Sequence, residues 1–452
     1  MSRPQFVLSI LSLVLALLTT SPATHAADPD LDATFDGDGR VQFDLNGADQ
    51  SDVDATAIIA NASGYVGAVL TAHSVDGNAQ TTLSILQYSP SGAETTLLRG
   101  SLVRPGESSL QGVVRTALRP DGRLVVATRM LDAQSNLDML VCQFRRGSPI
   151  AVWILDTGFG GGDGCSNVHT ALAPLATDHD TFLSDLALDS QGRVVLVGGA
   201  NDSATTSVPV VARFLANGDP DATFGNGGVA AFTQIDNALF DVVAIDAMDR
   251  IVTAGTRIIS GTDYDGVLTR LAENGSIDPG FGHREIAFNL GNTYDYDLPR
   301  AVAVESGGEV TMLLAVVDGN VVKPAIARFD ASGEPSSTLG GLTRRIVELP
   351  GMIIERMARR HDSTYLLVAE EQSGVAGRGA LFVLDRDGRV SCPFGDGDCV
   401  ARPLLDAEEA YVQGLTLDAE GRPLLSAITG DPFASGALFA RLQSPLLRDG
   451  FE

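Results

Sequence analysis

The chain has 452 residues, with 31 Lys and Arg against 57 Asp and Glu, and a formal charge of −26. That acid excess argues against nucleic acid and anionic membrane surfaces as partners, since both are held by basic patches that displace counterions. Lys323 is the only lysine, so nearly all positive charge is guanidinium, which suits fixed, forked contacts to carboxylates; many arginines are expected to be structural.

Residues 1–26 read as a secretory leader: Arg3 supplies the positive start, "FVLSILSLVLALL" the apolar run, and Thr24 and Ala26 suit cleavage after Ala26. No Cys follows that run, and no later stretch approaches the ~20 apolar residues of a membrane span. The mature chain is expected to be exported, to the periplasm or the medium, with no membrane span.

Five versions of one turn follow: "LDATFDGDGR" (31–40), "LDTGFGGGDG" (155–164), "PDATFGNGGV" (220–229), "IDPGFGHREI" (277–286) and "SCPFGDGDCV" (391–400). Their Phe residues are Phe35, Phe159, Phe224, Phe281 and Phe394; degenerate copies near residue 97 and at Leu339 bring the count to seven. Two further markers recur seven times: a polar turn between two apolar runs, such as "PDGR" (120–123) and "SQGR" (190–193), and a strand ending in a turn, such as "VVARFLANG". Unit 4 shows the plan as four strands: "GGVAAF" (a), "FDVVAIDA" (b), "RIVTAGTR" (c) and "DGVLTRLA" (d). Runs such as "RVVLVGG" and "EVTMLLAVV" are continuous and aliphatic, as in strands covered on both faces. Short strands between Gly, Asp and Ser turns, repeated in units that need neighbours to bury their faces, predict an all-β fold: a seven-bladed β-propeller over 27–445, with 446–452 a short tail. The hinge glycines permit the turn, and its Phe is expected to wedge between adjacent sheets. If strand a pairs with the preceding blade, residues 41–45 complete the last blade and lock the ring.

The pattern N-G-x-x-D-x-x-F-G-x-x-G in "NGDPDATFGNGG" (217–228) and "NGSIDPGFGHRE" (274–285) resembles the delta-60 repeat family of bacterial exported and surface proteins. The likeness runs through 29–445, strongest in units 3–5 and weak in 2 and 6. It implies a propeller in an exported setting and no catalytic residue.

Four cysteines remain. "CPFGDGDC" closes a short loop, so Cys392 is expected to bond Cys399, leaving Cys142 to Cys165. The spacing does not suit a zinc cluster. "DGDG" and "GDGD" make Asp36, Asp38, Asp396 and Asp398 weak calcium candidates, though these strings are too short for an EF-hand loop; no other cofactor is expected. His169 and His179, flanking a loop with Asp178 and Asp180, read as exposed loop residues. Asp221 and Asp278 follow the strand-d arginines Arg213 and Arg270 by eight residues, which suggests a fork clamping each hinge. Unit 6 has Val383 and Ser391 in those places.

No G-x-S-x-G elbow, H-E-x-x-H or P-loop is present. The a–b and c–d loops, which emerge on one face of an up-and-down blade, are dense in acid with tyrosines interleaved. Their richest patch is Asp263, Tyr264 and Asp265 with Tyr294, Asp295, Tyr296 and Asp297. Aromatics among acids suit cationic or sugar-like partners. The expected function is a non-catalytic exported binding or scaffold propeller whose ligand is an extracellular or cell-surface protein, glycan or cation. The alternative is a propeller hydrolase or lyase acting on an extracellular polymer through its central channel.

Overall fold

A computed structural model describes residues 31–43, 52–75, 78–100, 107–132, 135–147, 152–168, 180–202, 206–291, 294–318, 321–349, 351–360, 364–371, 378–392, 399–402, 410–429 and 436–443. The expected leader, the tail, His169, His179, Phe394, Asp396 and Asp398 lie outside them. Among the described residues no helix is long and apolar enough to cross a membrane.

The fold is an all-β propeller of antiparallel sheets. Each sheet takes strands b, c and d from one unit and strand a from the next. In unit 3, Thr181–Leu188 pairs Val194–Asp202, which pairs Thr206–Phe214, and strand a of unit 4, Val229–Ala231, forms the outer edge. Strand c is buried over most of its length: in Val310–Asp318 the first seven residues are all buried, as the aliphatic runs require. Strand b differs, because its burial alternates, as in Asp295–Val304. It lies innermost, and its two faces pack towards the two neighbouring blades: Ala301 and Ala303 belong to a cluster shared with unit 6, and Val302 and Val304 pack on one shared with unit 4.

Strand b of each unit lies against strand b of the next, and Ala410–Leu417 of unit 7 lies against Asp52–Asn61 of unit 1, so the ring is closed. The closing sheet is completed from the start of the chain. Strand a of unit 1, Arg40–Phe43, pairs antiparallel with Gly436–Arg441, with Arg40 opposite Ala440 and Phe43 opposite Ala437.

The expectation of seven four-stranded blades is corrected. Hydrogen bonds divide the described strands into five separate sheets of four or five strands and a sixth of eight strands that units 4 and 5 share. The joint is a parallel pairing of the first residues of Asp263–Leu271 and Asp295–Val304, Asp263 with Asp295 and Tyr264 with Tyr296. Extended residues at both strand starts approach closely enough to pair.

The hinges behave as wedges. Phe35, Phe159, Phe224, Phe281 and Leu339 are fully or almost fully buried, and each sits against a glycine of the following unit. Gly218 (φ +87°) lies so close to the Phe159 ring that a Cβ there would approach it to 2.8 Å, and Gly160 N donates to Asn217 O at 2.9 Å. Arginines brace them from strand d. Arg213 Nε donates to Asp221 Oδ2 and Arg270 Nε to Asp278 Oδ2, each at 2.7 Å, with the guanidinium carbons 4.5 Å from the Phe224 and Phe281 ring centres. The b–c turn adds a second arginine: Arg250 reaches Asp246 at 2.6 Å and Asp278 at 3.7 Å. The ring closure repeats the device, with Arg441 2.9 Å and Arg422 3.5 Å from Asp32. In unit 6, Val383 and Ser391 pair as backbone partners instead.

Both expected disulfides are formed, Cys142–Cys165 and Cys392–Cys399. The first ties strand d of unit 2 to strand a of unit 3, where the two cysteines are register partners.

Candidate functional site

The acidic–aromatic patch predicted on the loop face is brought together by the joint between units 4 and 5. Strand c of unit 4 runs to Ser260, and its hairpin partner starts at Asp263. Pairing of Asp263 with Asp295 then sets two D-Y-D segments side by side. The rings of Tyr264 and Tyr296 lie 4.6 Å apart and those of Tyr294 and Tyr296 5.8 Å apart. Tyr294 is 47% exposed, and Ile258 and Ile259, at the end of strand c of unit 4, are 44% and 45% exposed. Ile258 is the register partner of Tyr264. An aliphatic surface that the sequence reading, attending to charge, had missed therefore borders the predicted acids and tyrosines.

The electrostatics are those of an acid-rich cluster. Burial raises Asp265 above the ordinary carboxylate range, and Asp263, Glu285 and Asp295 push it further. Asp295 is raised by burial and by Asp263. One oxygen each of Asp263 and Asp295 is buried without a hydrogen-bond partner. The nearby cations are engaged: Arg257 pairs Asp236 at 2.8 Å and Glu285 at 2.5 Å, and Arg344 donates to Ala287 O.

Two placements need correction. The seven residues mostly begin strands rather than occupy loops, since pairing starts as soon as the hairpin turns. Asp297 is not on the surface at all: it is 1% exposed and accepts from Phe288 N at 2.5 Å. Burial above all, together with Asp295 and Asp265, raises its pKa to about 7. The repeat carries a signal for this. Counting back from the register break of strand b, Asp297 occupies the place of Thr181 in unit 3, also buried and also accepting a backbone N–H, from Met139 at 3.0 Å.

The hinge acids serve the backbone. Asp38 accepts from Arg40 N at 2.9 Å, and Asp36 takes a positive φ of 52° while its N–H donates to Ser91 O. Among the described residues, no three His, Cys, Asp or Glu side chains gather as a metal site would require. Asp180, which follows His179 in the sequence, accepts from Leu137 N at 2.7 Å.

Comparison with known proteins adds the following. A family model described as a domain of unknown function (DUF5122) β-propeller matches residues 190–224 and 249–281, parts of units 3 and 4. No curated protein matches the chain. Among solved structures, a Dyadobacter fermentans protein described as of unknown function is 13% identical with a TM-score of 0.46, over 89% of this chain and 99% of that one. The polysaccharide lyase Uly1 is 9% identical with a TM-score of 0.48, over 87% and 90%. The Pseudomonas aeruginosa periplasmic gluconolactonase is 13% identical with a TM-score of 0.43, over 77% and 85%. At these identities the likeness concerns the fold alone, and the chain resembles a DUF5122 β-propeller over the two matched segments.

Proposed function

We propose that this protein is an exported, non-catalytic propeller in which each of seven units acts as a blade, and that it recognises a cationic partner at the joint of units 4 and 5. The observation that carries this reading is the pairing of Asp263 with Asp295 and of Tyr264 with Tyr296. It gathers carboxylates with unpartnered oxygens beside stacked rings and exposed aliphatic groups. Carboxylates held this close repel one another, so a cation that neutralises them gains more than it would from one isolated acid. Ring faces beside them add attraction for ammonium or guanidinium groups. The two disulfides support an oxidising, exported setting.

The test is titration of the full chain with an arginine-rich peptide, calcium and a panel of neutral oligosaccharides. Saturable binding of the peptide, weakened about tenfold in both Asp295→Asn and Tyr294→Ala, is expected; tenfold corresponds to about 1.4 kcal/mol. Binding of oligosaccharides alone, or unchanged peptide affinity in both variants, overturns the reading.

A further inference from the structure

The innermost strands carry a second set of groups. Every strand b breaks register at an equivalent place: between Val53 and Ala55, Gln111 and Val114, Leu183 and Asp185, Phe240 and Val242, Pro299 and Ala301, Ile354 and Arg356, and Val412 and Gly414; that of unit 2 has a second break, between Glu107 and Ser109. A bulge turns side chains out of the strand's alternation. In units 2–6 the residues at or just beyond the break include Arg115, Asp185, Asp241, Arg300 and Arg356, which together line a cavity of about 130 Å³. Three guanidinium groups face two carboxylates there, an excess of one positive charge in a chain whose net charge is −26.

The two carboxylates are occupied. Asp185 accepts from Val243 N at 3.1 Å and lies 3.6 Å from Arg115 Nε. Asp241 accepts from Thr256 Oγ1 at 2.7 Å. The arginines are only partly engaged. Arg115 faces Asp185 at 3.6 Å and donates to Val114 O at 3.0 Å, and Arg356 donates to Glu355 O at 2.7 Å, which leaves most of each five-donor fork unused. Arg300 makes no hydrogen bond or ion pair among the described residues, and its Nε is buried without a partner. A buried donor left unpaired is costly, and three like charges around one small space repel.

We propose that this cavity binds a small oxyanion, the shared chemistry of carboxylate and phosphate, received by the fork of Arg300 and flanked by Arg115 and Arg356. A guanidinium presents paired N–H groups that match two oxygens of either anion. A cavity of about 150 Å³ holds a molecule the size of benzene, so inorganic phosphate or a short dicarboxylate fits and a sugar chain does not. Arg115 is consistent with an unfilled anion site, since burial and then Arg356 push it down to about 9.

The test is calorimetric titration of the full chain with inorganic phosphate and, separately, with malonate, ionic strength being held with chloride. Saturable one-site binding of at least one anion is expected, weakened tenfold or more in Arg300→Gln, less in Arg300→Lys, and unchanged in Arg389→Gln, an exposed arginine of the turn after strand d of unit 6 that does not line the cavity. Preference between the two anions distinguishes a phosphate from a carboxylate ligand. Should Arg300→Gln fail to fold by circular dichroism, Arg356→Gln reads the same loss. No saturable heat with either anion at millimolar concentration, or equal affinity in the Arg300 and Arg356 variants, overturns the proposal.

Discussion

Phe224 and Gly275 are fitted to each other across two units: a Cβ placed on Gly275 would lie 3.0 Å from the Phe224 ring, and Gly275 holds a φ of +84°. The same fit joins Phe35 to Gly92 and Phe281 to Gly333. Phe224→Ala should therefore lower stability by about 3–5 kcal/mol, the range for truncating a buried ring. Gly275→Ala should cost about 2 kcal/mol or more, from left-handed strain and overpacking combined. Denaturant unfolding of both variants checks this, and a Gly275→Ala protein as stable as wild type contradicts the wedge.

The Arg213–Asp221 pair is buried on both sides, with side chains 1% and 4% exposed. Removing Arg213 leaves Asp221 with only the more distant Arg193 as a cation, at 4.0 Å, so Arg213→Met alone should cost about 3 kcal/mol, the lower end of the range for breaking a buried pair. The double variant Arg213→Met with Asp221→Ala should cost less than the two single losses summed. A double-mutant cycle measures the difference, and strict additivity would show that the two side chains do not interact.

Stability should pass through a maximum in mildly acidic solution. Burial raises Asp241 to about 6 and Asp297 to about 7. Each folded-state pKa exceeds its unfolded value, so the folded chain binds more protons between them and stability rises as pH falls through 7 and 6. The clamp acids act oppositely. Burial alone would raise Asp221, but hydrogen bonds from Thr223 and Arg213 hold it below the ordinary range, and Asp32 and Asp278 are likewise depressed. Their contribution is present above the unfolded carboxylate value and is lost as pH falls through the depressed folded values. Thermal melts from pH 8 to 3 should rise and then fall, and Asp297→Asn should flatten the neutral limb. A Tm that climbs steadily to pH 8 contradicts the buried acids.

The same protonation bears on the channel. Asp241 shares its cavity with Arg115, Arg300, Arg356 and Asp185 and is held by Thr256. Neutralising it below pH 6 removes one of two negative charges, so sulfate, an oxyanion that stays doubly charged across this range, should bind more tightly at pH 5.5 than at pH 8. Asp241→Asn should abolish that dependence, as titration at both pH values would reveal.

The disulfides differ in the chain they enclose, with sequence separations of 23 and 7. In the chain-entropy model the longer loop should be worth about 1 kcal/mol more. Cys142 and Cys165 are also buried, at 1% and 2% exposed, so replacing that pair by Ala removes packing as well. Replacing Cys142 and Cys165 should therefore lower Tm further than replacing Cys392 and Cys399.

The repeating parts of the molecule were legible because repetition exposes them. Phe224, Asp221 and Arg213 recur at fixed offsets, and a wedge, a fork and a strand-d brace follow from residue type alone. The arginine of the b–c turn, the last letter of "PDGR" and "SQGR", reads only as part of a repeated turn, because its hinge partner is distant in sequence: Arg250 meets Asp278 across 28 residues. The channel was harder still. Asp241, Arg300 and Arg356 differ in sign from unit to unit, so no repeated letter marks them. Their signal is positional, a polar residue inside each b-strand apolar run. Asp297 was misplaced because charge was taken for exposure, whereas strand alternation sets it on the same face as Pro299 and Ala301.

The closure of the ring has a mechanical consequence. Arg40–Phe43 runs antiparallel to Gly436–Arg441, with Arg40 opposite Ala440. The chain leading into the first strand and the chain leaving the second therefore depart from the same end of the pair. A load drawing the two apart would not shear four residue pairs at once; it would peel them singly, in the manner of a zip. The first groups to bear that load are the Leu31–Leu442 bridge and Asp32, held by Arg441 at 2.9 Å. Arg441 is 1% exposed and also donates to Tyr65 and Thr34, both at 2.7 Å. Resistance to tension thus resides in one arginine at the mouth of the zip, and Arg441→Gln should lower the unfolding force of a chain pulled by its ends.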